Sequence, residues 1–74
     1  MPQQIDNIYE IAEFVKQVRL DKNLTQTDVA ILTGVERAWI NRLENGKIEG
    51  VTLLTLYKLI HGLKYKLLFN PIKA

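Results

Sequence analysis

Advancing about 100° per residue along a helix places Arg37, Ala38, Asn41, Arg42 and Asn45 within one arc, with Trp39, Ile40 and Leu43 on the other side. Arginine offers a rigid fork of N–H donors, and asparagine offers one donor edge beside one acceptor edge. Those groups suit planar ligands met edge-on. In a duplex groove, Arg can bond guanine O6 and N7, Asn can bond adenine N6 and N7, and Ala leaves room for a thymine methyl. The same polar arc also fits an ordinary amphipathic surface helix, so the neighbouring elements must decide. Catalysis is the poorest reading of these residues. The chain has one histidine, no cysteine and scattered carboxylates, which supply neither a nucleophile with its base nor a metal cluster. No cofactor is expected.

The elements that would hold this arc are legible from caps and periodicity. Asp6 or Asn7 can cap a first helix, with Glu10 completing a capping box, and Ile8, Ile11, Ala12, Val15 and Val18 follow at helical spacing. Asn23 suits the left-handed residue that closes it. Thr25 can cap a short second helix whose Asp28 favours the positive helix start, with Val29, Ala30 and Leu32 on its buried side. Gly34 breaks that helix through a positive φ. The chain restarts as a helix near Glu36 and stops at Asn45-Gly46, which makes a helix-turn-helix over about residues 25–45. Thr52 can cap a last helix that buries Leu53, Leu56, Leu59, Ile60 and Leu63 and ends near Gly62. His61 reads as a polar surface residue, and Ile31 and Leu54 lie off the buried stripes.

The 74 residues read as one domain, because a chain this short buries only about 60% of its unfolded surface and cannot divide a core. With no disulfide or zinc to reinforce so small a core, an oligomer is expected. Residues Lys64 to Phe69 alternate with period two and are closed by Asn70-Pro71. This predicts a strand over about residues 64–70, carried by Tyr65, Lys66, Leu67, Leu68 and Phe69, with no second strand in the chain to pair with. A second copy across a two-fold axis is its simplest partner. The opening MPQQIDN lacks the basic and apolar parts of a signal peptide, and no apolar run of about 18 residues occurs, so a cytoplasmic protein away from the membrane is expected. The net charge of +2 is too mild to identify a partner on its own.

The stretch LTQTDVAILTGVERAWINRLENGK, Leu24 to Lys47, resembles the helix-turn-helix of the Xre/Cro family of lambda-repressor-like DNA-binding domains. Leu24, Thr25, Gln26, Ala30, Gly34, Val35, Ile40, Leu43, Glu44, Asn45 and Gly46 carry the likeness. The flanks IAEFVKQVRLDKNLTQ and TLLTLYKLIHGLKYKLLF extend it to HipB-like antitoxins, over roughly residues 8–69. The resemblance implies an all-α, lambda-repressor-like domain of four to five helices, whose short C-terminal β-strand pairs across a homodimer. It implies a repressor of its own operon that binds a palindromic operator in double-stranded DNA, and an antitoxin to a HipA-type serine/threonine kinase toxin. Thr25, Gln26 and Thr27 would meet phosphate at a helix start, while Glu36, Arg37, Ala38, Asn41 and Arg42 would face the groove. Asn45, Gly46 and Lys47 would meet the flanking backbone, and Arg19 with Glu44 would form a structural ion pair.

Two positions depart from the family pattern. Glu36 stands where the family carries a capping Ser or Thr. A glutamate caps poorly and repels phosphate, or it accepts from cytosine N4. Trp39 replaces a smaller residue, and it either packs between the second and third helices or stacks on a base or partner. Two other functions fit the same residues. One is a phage or plasmid repressor, or a restriction-system controller, with no toxin partner. The other is a protein-interaction module with negligible DNA affinity, which Glu36 and the low charge would favour.

Overall fold

The computed structural model describes residues 4–69 and 71–72. Among them lie four helices, α1 (Ile8–Asp21), α2 (Gln26–Thr33), α3 (Arg37–Glu44) and α4 (Leu53–Gly62). Each start has a local cause. The Asn7 side chain accepts from the amides of Tyr9 and Glu10, and Thr52 accepts from Thr55. Thr25 and Asp28 form a full reciprocal capping box, a step beyond the helix-start preference that sequence assigns to Asp28. On α1, Glu10 reaches back to the amide of Asp6 rather than to that of Asn7.

Three of the helices end in the same backbone motif. A residue at positive φ turns the chain, its amide bonds back to the third preceding carbonyl, and the next amide bonds back five residues. Asn23 does this after α1, Gly46 after α3 and Lys64 after α4. At the end of α3 the left-handed residue is therefore Gly46, and Asn45 keeps a negative φ. Gly34 closes α2 with φ 75° and a single bond to the Ala30 carbonyl.

The helices converge on Val15 and Val18 of α1, Val29 of α2, Val35 in the turn, Ile40 and Leu43 of α3, and Leu59 with Leu63 at the end of α4. Burying each of the larger side chains contributes about 1.5–3 kcal/mol. Three residues expected in this core lie outside it: Ile8, Leu32 and Leu53 are exposed. Ile8 and Leu53 lie on the buried sides of their helices by angle, but each is its helix's first residue and overhangs the core's edge. Leu32 yields to Thr33, whose side chain and backbone meet Gly62 so closely that a Cβ there would lie 2.7–3.0 Å from Thr33 atoms. Thr33 is half-buried at this approach, and Leu32 is left exposed. Ile31 and Leu54 are exposed, in keeping with their off-stripe positions.

No strand is present among the described residues. Residues 65–69 run on from α4 without ladder partners, because the described residues offer no second edge for them to pair with. Asn70, at the expected end of the strand, lies outside the described residues.

Candidate nucleic-acid interface

The site is built by anchoring one side of α3. Ile40 and Leu43 are 0% and 1% exposed, so α3 cannot roll without leaving the core. Its opposite side, with Arg37, Ala38, Asn41, Arg42 and Asn45, is exposed as a consequence. Gly34 sets the angle between α2 and α3, and Val35, also buried, ties the turn to the core. Arg37, Ala38 and Asn41 line a shallow depression on this face.

Beneath the face lies a continuous polar chain. The Arg19 guanidinium grips the Glu44 carboxylate with two bonds, Nε to Oε2 at 2.7 Å and Nη2 to Oε1 at 2.9 Å, and its Nη1 donates to the Leu24 carbonyl. The hydrogen bond to Glu44 is the main reason Arg19 is held further into its charged form than a free guanidinium, against the opposing effect of burial. Glu44 Oε1 also accepts from Gln26 Nε2 at 3.3 Å, Gln26 Oε1 accepts from Asn41 Nδ2 at 3.3 Å, and Asn45 Nδ2 donates to the backbone carbonyl and Oδ1 of Asn41. The α2 start and the exposed side of α3 are thereby joined to α1.

This arrangement changes what several side chains can offer. Gln26 is half-buried, and both ends of its amide are engaged within the protein; Asn45 folds back on Asn41. At the open end of α2 the amides of Gln26 and Thr27 remain available for an anion, since the cap satisfies that of Asp28. The hydrogen bond from the Thr25 amide, followed by that from its hydroxyl, pulls the Asp28 carboxyl below its ordinary pKa. Thr25, Thr27, Arg37, Arg42 and Lys47 are exposed.

Arg42 lies over the Trp39 ring, with its guanidinium carbon 5.1 Å from the ring centroid. A cation over an aromatic face is attracted by the ring quadrupole, and Arg42 stays exposed there. Trp39 is half-buried against the core and approaches Gly50, so it both packs and serves as the platform for Arg42. The Arg19–Glu44 pair is among the sequence-based expectations, whereas its extension through Gln26 to Asn41 and Asn45, and the Trp39 platform, are not. The three-residue spacing of Trp39 and Arg42 and the four-residue spacing of Asn41 and Asn45 were visible signals, whereas nothing local links Gln26 to Asn41. Glu36 is exposed at the start of α3 and makes no side-chain capping bond.

A second surface lies at the other end of the molecule. The Tyr65 ring stands edge-on to Phe14 with centroids 5.0 Å apart, which docks the tail on α1. Between α4 and this tail runs an apolar groove lined by Leu53, Leu54, Tyr57, Ile60, Leu67 and Phe69. His61 is exposed and stacks on Tyr57. Among the described residues no helix is long and apolar enough to cross a membrane.

Comparison with known proteins places this architecture. A solved structure described as "MDT Protein" superposes with a TM-score of 0.82 and 28% sequence identity, covering 97% of this chain and 100% of that one. Among curated proteins, none matches the chain. Residues 10–58 match the family model described as a helix-turn-helix domain, a span running from the start of α1 into α4, and the chain belongs to that family.

Proposed function

We propose that this protein is a sequence-specific DNA-binding repressor that acts in the cytoplasm as a homodimer on a palindromic operator. The observation that carries the reading is the exposed row of Arg37, Ala38, Asn41 and Arg42, on a helix anchored by Ile40 and Leu43 within a helix-turn-helix. Arg37 and Arg42 donate to purine edges, and Asn41 reads one base pair. Thr25, Gln26 and Thr27 position the α2 start on a phosphate, with the Gln26 and Thr27 amides as donors, while Asn45 and Lys47 flank it on the next. Two copies of α3 enter successive major grooves about 34 Å apart.

The homodimer reading rests on the other surface. Tyr65, Lys66, Leu67, Leu68 and Phe69 extend beside an apolar groove, and a second copy supplies both a pairing edge for this segment and a cover for Leu53, Leu54 and Phe69. Truncation before Lys64 should give monomers in sedimentation; a truncated chain that still sediments as a dimer rules out the paired tails. The resemblance to HipB-like antitoxins extends the proposal to autoregulation of an operon and capture of a HipA-type kinase toxin, which affinity capture from the native host tests.

The decisive experiment is selection from random duplexes at two salt concentrations, beside Arg37→Ala. Selective binding should weaken with a log-log salt slope of about 0.9 per neutralised phosphate, and the variant should lose about 1–3 kcal/mol and relax its preference at one position per half-site. Binding that is absent, or indifferent to Arg37, assigns the face to a protein partner instead, a reading that the uncapped, exposed Glu36 would favour.

A further inference from the structure

We infer that the Glu44 carboxylate acts as a positioning group for base readout, fixing through Gln26 which way round the Asn41 amide is presented to DNA; the inference rests on the DNA-binding reading above. A carboxylate only accepts, so Gln26 must turn its NH2 toward Glu44 and its oxygen toward Asn41. Asn41 must then turn its own NH2 toward Gln26, which leaves its oxygen on the side of Asn45. Asn45 imposes the same sense independently. Its NH2 is committed to the Asn41 backbone carbonyl at 2.9 Å, so it can only donate to the neighbouring side-chain oxygen. Arg19 holds Glu44 in place with two hydrogen bonds, and the Glu44 side chain is only 4% exposed.

The outward side of Asn41 keeps one N–H and one oxygen lone pair, in a fixed order along the helix. A·T and T·A present donor and acceptor in opposite orders at a given place in the major groove. An amide of fixed sense accepts one order and rejects the other, whereas an amide free to flip accepts both. Gln26 and Glu44 therefore set specificity at a base pair that neither needs to touch.

The test uses the full chain, Gln26→Leu and Gln26→Asn, each alone and with Asn45→Ala, keeping Arg19 and Glu44, with Arg37→Ala as a control at another position. Side-chain amide NMR of the free protein should show Asn41 NH2 protons shifted from free-amide values and protected from exchange with solvent, and both Gln26 variants should return them toward free-amide shifts with faster exchange. In duplex selection a preference of about tenfold for A·T over T·A at one position per half-site should weaken in the Gln26 variants, with other positions unchanged, and vanish when Asn45→Ala is added. Uniform weakening on all sequences with that preference intact overturns the inference and leaves Gln26 as a phosphate anchor. Free, fast-exchanging Asn41 protons in the unaltered protein overturn it as well. If the unaltered protein selects no sequence, the repressor reading falls and the role in readout with it, while the NMR result still shows whether the relay exists.

Discussion

The α2–α3 unit and the α4–tail region solve opposite problems with the same short chain. In the first, side-chain polar groups largely partner one another, and the apolar residues Val29, Ile40 and Leu43 are inside. In the second, Leu53, Leu54, Leu68 and Phe69 remain exposed beside a backbone segment with no pairing edge. The first region has its side-chain polar groups partnered within one chain. The second is a surface of the kind that a further chain completes, since exposed apolar residues gathered along one groove differ from singly scattered ones.

The largest test of this contrast removes the keystone of the first region. Glu44→Ala leaves Arg19 without its partner in a site where the Arg19 side chain is 14% exposed, and should cost about 3–5 kcal/mol in urea unfolding. A loss below about 1 kcal/mol would mean that the polar chain does not organise the unit. Next comes the joint between the two regions. Gly62→Ala gains up to about 1 kcal/mol of helix propensity but drives a Cβ to 2.9 Å from the Thr33 Cα, an overpacking that costs about 1–3 kcal/mol. The clash is with backbone, so it wins, and the melting temperature should fall.

Smaller changes sharpen the comparison. Glu36→Ser supplies the missing cap of α3 and should add about 1 kcal/mol in the same unfolding measurement. If Glu36 is a repulsive element rather than a reader of cytosine, this variant should also bind DNA more tightly on every sequence. Lys64→Gly relieves a left-handed residue, φ 71°, at the root of the tail. A gain of about 0.5–1 kcal/mol is expected, because the relief of strain exceeds the extra chain entropy of glycine only slightly. The smallest effect is that of pH on α2. The Asp28 pKa is lowered in the folded state, so its contribution is present above the ordinary carboxylate range and is lost as pH falls through the lowered value. Acid titration of stability should therefore be shallower for Asp28→Asn than for the unaltered chain.

Much of the fold was legible because it is written locally. Thr25 and Thr52 carry cap chemistry, Asn23 and Gly34 tolerate positive φ, and Val15, Val18, Ile40 and Leu43 repeat at the helical period. The exposed arc on α3 was legible for the same reason, since a helix fixes which residues share a face. Errors arose where angle was a poor guide to depth. Leu53 shares the buried face of α4 by periodicity, yet it begins the helix and finds no core beneath it.

By itself the sequence determined the four helices, their caps and the polar row on α3, because propensity, periodicity and capping act within a few residues. Tertiary packing alone settles that Gln26 meets both Glu44 and Asn41, that Thr33 lies against Gly62 while Leu32 is exposed, and that Arg42 rests over Trp39 while Gln26 is half-buried. Those outcomes depend on how α1, α2 and α4 are placed around α3. That placement is set by the fit of Val15, Val29, Ile40, Leu43 and Leu59 to one another, and close packing couples all of these side chains at once, so no local pattern reports it.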